Sequence, residues 1–305
     1  MPSSVLVVGS LGLDSLKTPL GEVEATLGGT AAYFSLAASL YTNVWMVAAV
    51  GTDFPERYRR EFEQRTIDLV GLQVLNGETF RWSGEYGYDL NVAETLELRL
   101  NVFADFHPML PKDYRAADFV FLANIQPSLQ LEVLEQIEQP ALVAVDSRDI
   151  WIETSRGELT EVIRRADVVF LNDAEIREYA QTSNLVAAGR SLLALGPRAV
   201  IVKKGEHGAL LIDRETVFAI PAYPHEVVMD PTGAGDSFAG GVLGYLASTG
   251  DTGREALRRA VVHGSAIASF TVESFGVDRL LALSMTDVLE RYRSFRYLTA
   301  FETDV

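Results

Sequence analysis

Six short apolar runs, each closed by a polar or glycine turn, limit how this chain can fold. Val5–Gly9, Val44–Gly51, Phe119–Ala123, Ala141–Asp146, Val168–Asn172 and Ala199–Lys203 are nearly continuous in aliphatic and aromatic residues. Strands of that kind are buried on both faces, as in a parallel sheet covered by helices on each side. Helical patterns lie between them over Thr30–Tyr41, Pro55–Gln64, Leu129–Glu138, Glu158–Arg165, Glu175–Gln181 and Ala187–Leu195. The alternation implies right-handed crossovers and a three-layer α/β/α fold with a mostly parallel central sheet. The last third turns helical, over Gly235–Ser248, Arg254–Phe270 and Met285–Leu298.

Two regions break the alternation. Leu16–Thr26 and Leu72–Phe103 hold strand-like pieces (Gln73–Leu75, Thr79–Ser83, Leu96–Leu100) without an amphipathic helix. They predict a small antiparallel sheet outside the main layer, acting as a lid; an edge extension of the main sheet is the alternative. With no repeat and no linker-like tract, one domain over residues 1–305 is expected, with the lid at about residues 16–27 and 72–103.

Leu27–Thr52 carries no charge and is long enough to span a bilayer. Polar residues interrupt it, its flanks are acidic, and Thr42-Asn43 divides it into a helix and a strand. The apolar run Val5–Val8 has no basic segment before it, unlike a signal peptide. A cytoplasmic protein without a membrane partner is expected. The absence of cysteine removes disulfides, thiolate zinc sites and a cysteine nucleophile. With 26 basic and 42 acidic residues the net charge is −16, which disfavours nucleic acid. A small anionic ligand remains compatible, because one local site can differ from the whole surface.

The chemistry concentrates in Met229-Asp230-Pro231-Thr232-Gly233-Ala234-Gly235-Asp236, which runs into a helix. Small residues admit close approach of a ligand, and a helix N-terminus presents free N–H groups and a positive dipole end to an anion. Asp236 in the first turn is either a helix cap or a base beside a phosphate. Gly240 and Gly241 are read as helix-packing positions. A P-loop, a dinucleotide-binding glycine motif and a Gly-x-Ser-x-Gly elbow are all missing from the sequence. Its four histidines (107, 207, 225 and 263) are scattered and are read as structural.

The segment Asp230–Gly241 resembles the C-terminal signature of the ribokinase-like (PfkB-type) carbohydrate kinases. Gly28-Gly29-Thr30-Ala31-Ala32-Tyr33 resembles that family's di-glycine hinge, and Gly9-Ser10-Leu11-Gly12-Leu13-Asp14 its first-strand motif. The element order agrees over most of the chain. The resemblance implies ATP-dependent phosphorylation of a hydroxyl on a sugar or related polyol, with a nucleoside as the alternative substrate and a catalytically silent nucleotide-binding protein as a third reading. It makes Asp236 the general base, and the N–H groups of Gly233, Ala234, Gly235 and Asp236 the anion hole. It assigns the substrate to Asp14, Gly28, Gly29, Tyr33 and Asn124. Tyr33 stands where the family often has Asn, and Asn124 where it often has a carboxylate. Asn172 and Glu175 match an Asn-x-x-Glu motif that organises Mg²⁺ through water. Lys203, Gly205, Glu206 and Gly208 match the loop on the nucleotide side. Asp230 and Thr232 would lie beside a monovalent cation such as K⁺, with the backbone carbonyls of Thr271, Ser274 and Gly276 as its ligands. The aromatic segment Phe80–Tyr88 is read either as closing over the substrate or as packing in a homodimer through the lid.

Overall fold

The computed structural model describes residues 3–300, so residues 1–2 and 301–305 of the expected domain lie outside the described residues. The chain runs β1 (Val5–Val8), β2 (Gly12–Thr18), β3 (Gly21–Gly28), α1 (Thr30–Ala38), β4 (Val44–Gly51), α2 (Glu56–Glu63), β5 (Ile67–Leu75), β6 (Phe80–Tyr86) and β7 (Ala93–Arg99). It continues through β8 (Phe119–Leu122), α3 (Pro127–Leu134), β9 (Leu142–Asp146), α4 (Asp149–Thr154), α5 (Arg156–Arg165), β10 (Val168–Asn172), α6 (Asp173–Ala180), α7 (Leu185–Leu193) and β11 (Ala199–Lys203). It ends with β12 (Ala209–Asp213), β13 (Val217–Ile220), α8 (Ala234–Thr249), α9 (Arg254–Thr271), α10 (Asp278–Leu281) and α11 (Met285–Thr299).

Nine strands form the main sheet in the order β13-β12-β11-β10-β9-β8-β1-β4-β5. It is parallel from β5 to β11, and β12 and β13 add an antiparallel edge. Only five residues join β11 to β12. That is too short for a crossover, so the chain turns back through Gly205 and Gly208, both at positive φ. Side-chain alternation puts a core on each face. Val5 and Val7 of β1 enter one cluster with α1, α8 and α9, while Leu6 and Val8 enter the other with α5 and α6. Gly240, Gly241 and Gly244 let α8 sit close to its neighbours: a Cβ on Gly240 would lie 2.4 Å from the Phe34 carbonyl oxygen. Leu27–Thr52 divides as expected into α1 and β4. No helix among the described residues is long and apolar enough to cross a membrane.

The second sheet has the order β3-β2-β6-β7, and its boundaries differ from expectation. Residues 72–75 belong to β5, which pairs parallel with β4 and covers what would be an open apolar edge of the main sheet. Residues 12–15 join the small sheet instead. The sheet is mixed rather than antiparallel, because β2 and β6 run parallel. The reason is topological. Parallel strands β1 and β5 each run almost directly into β2 and β6, so the chain enters the small sheet twice in the same direction.

Candidate active site

The carboxyl ends of β9, β10 and β11 lie side by side, where open α/β sheets bind ligands. They deliver Asp146, Asn172 and Lys203, with Asn172 in register opposite Lys203. Lys203 Nζ bonds the buried Asp146 carboxylate at 2.5 Å. Burial lowers the Lys203 affinity for its proton, yet Asp146, Glu175 and Asp236 together hold it above its ordinary value, so the ammonium stays charged. Glu175 and Asn172 form a reciprocal cap at the start of α6: Asn172 N–H donates to Glu175 Oε2 at 2.7 Å, and Glu175 N–H to Asn172 Oδ1 at 2.8 Å. Burial, with Asp146 adding and Lys203 opposing, pushes Glu175 up to about 7.

Gly233, at φ 72°, turns the chain into α8. Its neighbours divide the N–H donors unequally. Ala234 N–H donates to the Pro231 carbonyl at 3.2 Å and Ser237 N–H to Gly233 at 2.8 Å. Gly235 and Asp236 lie between them and carry the orphan donors of the first turn. The Ala234 N–H expected in the anion hole is thus engaged in a turn. A Cβ on Gly235 would stand 3.3 Å from Lys203 Nζ, so the ammonium faces the helix start. Asp236 is raised to about 7 by burial, with Asp146 adding and Lys203 and Arg148 opposing.

The small sheet and α1 supply the opposite wall. Asp14, on β2, is buried and its Oδ1 has no partner. Burial, then Asp230, raises it to about 7, while the Gly29 N–H opposes. A Cβ on Gly28 would fall 1.9 Å from Asp14 Oδ2. Gly28→Ala is therefore expected to displace that carboxylate, at about 1–3 kcal/mol of stability, measurable as a lower melting temperature together with a raised substrate KM. The Tyr33 ring packs against Gly233 and is 1% exposed. Asn124 sits just beyond β8, where its Oδ1 accepts the Trp151 indole N–H at 2.9 Å.

Asp230 anchors two backbone segments: its Oδ1 accepts Thr232 N–H and its Oδ2 accepts Gly276 N–H, both at 2.9 Å. Thr271 Oγ1 turns back to the Ile267 carbonyl, and Ser274 Oγ accepts Arg279 N–H. Gly205 and Gly208 shape the β11–β12 turn, whereas Glu206 is exposed and leans toward His207 at 3.8 Å. The structure therefore brings Asp14, Tyr33, Asn172, Glu175, Lys203 and the Gly233–Asp236 turn into one neighbourhood and leaves the Glu206 side chain outside it.

Asp146 and Arg148 were not among the site residues expected from the sequence, and Tyr86 was expected only as part of the aromatic lid segment. Asp146 ends a parallel strand as Asn172 and Lys203 end theirs, and that position was its signal. Tyr86 of β6 hydrogen-bonds Thr232 through its hydroxyl at 3.0 Å, tying the small sheet to the glycine turn.

An α/β sheet with an open helix start, a flanking carboxylate and a half-buried lysine suits phosphoryl transfer. Residues 5–282 match the model of the pfkB family carbohydrate kinases, and the chain belongs to that family. It is a kinase of a sugar or a nucleoside. It is 32% identical over 249 residues to the cytidine kinase of Thermococcus kodakarensis, which covers 79% of this chain and 88% of the relative. Its fold matches the nucleoside kinase of Methanocaldococcus jannaschii, an archaeal member of the ribokinase family, with TM-score 0.78 at 23% identity over 96% of this chain and 98% of that one. It also matches a putative ribokinase II from E. coli in complex with ATP and Mg²⁺, with TM-score 0.79 at 18% identity over 96% and 99% of the two chains.

Proposed function

We propose that this protein transfers the γ-phosphoryl group of ATP to a hydroxyl of a ribonucleoside. One observation carries the nucleoside reading. Trp82 pairs with Asp14 across β2 and β6, so both side chains stand on the same face of the small sheet. Its indole lies over Gly84, where a Cβ would come within 2.4 Å of the ring, and its N–H is held by Thr95 at 3.1 Å. A flat aromatic platform beside a hydroxyl-binding carboxylate suits a base joined to a ribose. The cytidine kinase and nucleoside kinase relatives support the same substrate class. Base stacking on an aromatic is worth about 1–3 kcal/mol, so Trp82→Ala should raise the nucleoside KM by roughly 5–150-fold. Phosphorylation of free ribose by the same variant should be unchanged. Equal loss on nucleoside and ribose would contradict the platform, and wild-type turnover of sugars alone would favour the sugar kinase reading.

Substrate lies between the strand ends and the small sheet, which acts as its lid. Asp236 accepts the proton of the attacking hydroxyl. The Gly235 and Asp236 N–H donors, with Lys203, meet charge on the transferring group. The donor set fits Mg²⁺. Among the described residues no three acidic or histidine side chains converge as a ready-made metal site. Asp146 bonds the Lys203 ammonium, Glu175 and Asp236 act on it from beyond contact distance, and burial raises all three above the ordinary carboxylate range. An added divalent cation would relieve that excess of acid, and Mg²⁺ bound with nucleotide phosphates needs only one or two carboxylates. When bound it neutralises charge on the phosphates. Toward K⁺, each Asp230 oxygen accepts one backbone N–H and keeps a lone pair, and the backbone carbonyls of Thr271, Ser274 and Gly276 would be the other ligands. No step is assigned to a monovalent cation.

The Tyr86–Thr232 bond is the lid's fastening to the catalytic turn. A hydrogen bond contributes about 0.5–1.5 kcal/mol net, so Tyr86→Phe should raise the acceptor KM by roughly 2–12-fold. Steady-state kinetics at saturating ATP would show it, and an unchanged KM would remove the fastening role. The largely exposed edge strand β7 is where a second copy would extend the lid sheet, and sedimentation would reveal that dimer.

A further inference from the structure

We infer that Glu273 is a positioning residue: by gripping Arg279 and Arg291 it fixes the segment between α9 and α10, and through that segment the glycine turn. The inference rests on the proposed role of the Gly235 and Asp236 N–H groups toward the transferring phosphoryl group. It does not depend on whether the acceptor is a nucleoside or a sugar.

Residues 272–277 join α9 to α10 outside any helix or strand. Two of their backbone groups hold the approach to the turn. The Val272 carbonyl accepts the Met229 N–H at 2.8 Å, and the Gly276 N–H donates to Asp230 Oδ2 at 2.9 Å. Asp230 Oδ1 accepts the N–H of Thr232, the residue just before Gly233. Where this segment sits therefore sets where the turn sits. A segment without ladder or helix hydrogen bonds takes its place from other partners.

Glu273 supplies those partners. Its Oε1 accepts from Arg291 Nη2 at 2.9 Å and its Oε2 from Arg279 Nε at 3.0 Å, so each oxygen holds a different guanidinium. Burial raises the Glu273 carboxyl, but Arg291 and Arg279 together outweigh it and hold it below its ordinary value. Arg291, on α11, reaches further. Its Nη1 donates to Ser269 Oγ at 2.7 Å, and its guanidinium stands 3.9 Å from the centre of the Phe270 ring and 4.0 Å from that of Tyr223. Tyr223 belongs to the loop that runs from β13 to the turn. One guanidinium thus touches both stretches that meet at Asp230. Bonds from a planar, charged fork are directional, which suits a part that must be held in register.

Docking of α11 does not by itself call for this cluster. The helix buries Val288 and Phe295 in the core, and its Tyr292 stacks on His263 at 4.3 Å. Anchored in that way, α11 is a fixed post and the segment is what it holds. Donors that meet charge in a transition state act only when aimed at it, and a misplacement of about 1 Å can cost on the order of 10²-fold in rate.

The test is Glu273→Gln, nearly isosteric, whose single amide oxygen cannot serve two guanidiniums as a carboxylate does. Titration calorimetry measures the Kd of ADP with Mg²⁺, and of the same mixture with aluminium fluoride as a mimic of the transferring group. Turnover is followed on cytidine, or on ribose if the wild type uses the sugar. The variant should leave the ADP Kd unchanged, weaken the fluoride complex by about tenfold or more, and lower kcat by a similar factor. Arg279→Met, which frees one Glu273 oxygen, should give a smaller change in the same direction, and it decides alone if Glu273→Gln does not fold. Arg254→Met breaks ion pairs with Asp213 and Glu215 at the far end of α9 and should leave the gap between the two Kd values intact. Equal weakening of both complexes by Glu273→Gln, no weakening of either, or the same narrowing by Arg254→Met overturns the inference alone. A wild type that binds the fluoride complex no more tightly than ADP overturns the anion-hole assignment and the inference with it.

Discussion

Asp236→Asn should lower kcat by roughly 10²–10⁴-fold, the range for losing a positioned general base. The amide is nearly isosteric and keeps the first turn of α8, but it cannot take a proton. ATP affinity, which the proposal assigns to the helix start and Lys203, should change little. The pH dependence follows from the raised carboxyl, which titrates at about 7 against an ordinary 3.8. As the proposed base Asp236 would work only when ionised, so kcat/KM for the wild type should rise with pH up to about 7 and then level, and the variant should lose that limb. Stability runs the other way. Folding disfavours ionised Asp236, so the fold carries a penalty that grows between pH 3.8 and about 7 and stays constant above. Asp236→Asn removes the penalty and should melt at or above the wild-type temperature at alkaline pH. Loss of activity with a lowered melting temperature would point to a structural role for Asp236.

Lys203→Met should be the most destabilising change at the site. It leaves Asp146 buried near Glu175 and Asp236 without its ion-pair partner, and only Arg148 still acts on the cluster, through Asp236. Removing one partner of a buried ion pair costs 3–5 kcal/mol, and with the lysine partly exposed about 3 kcal/mol is expected here. The sign of its pH dependence is set by the acids. Their folded pKa values lie above the unfolded ones, so the folded state prefers them protonated. Without Lys203 that preference strengthens, and the variant should lose more stability at about pH 8 than at about pH 5. Denaturant unfolding at the two pH values measures it. A constant difference across pH would mean that Lys203 acts by packing alone. Activity should fall as well, because the ammonium faces the helix start.

The parallel core was legible because buried strands spell themselves out. Val44–Gly51 and Val168–Asn172 carry the same boundaries in sequence and structure. The glycine turn was legible for a similar reason, since Gly233 and Gly235 before a long helix leave few alternatives. What escaped depended on long-range pairing. Residues 72–75 look like other half-exposed strands, and only the free edge of β4 decides which sheet takes them. The parallel pairing of β2 with β6 follows from the directions of β1 and β5, a relation no local pattern carries. Asp146 reads as the polar end of a strand until Lys203, a further 57 residues along the chain, folds against it. Asn172 and Glu175 show the reverse case. Their spacing was visible, but the same spacing makes a helix cap, and the structure forms that cap. A cap that leaves Glu175 near neutral pKa beside Lys203 is compatible with both duties.

The most direct test of the account is the identity of the phosphorylated product. The protein is offered ATP, Mg²⁺ and an equimolar mixture of cytidine, uridine, adenosine, inosine, ribose and fructose, and products are read by mass. The account predicts a nucleoside monophosphate with the wild type and almost none with Asp236→Asn. Sugar phosphate as the only product would contradict the nucleoside reading, and full turnover by Asp236→Asn would contradict the proposed base.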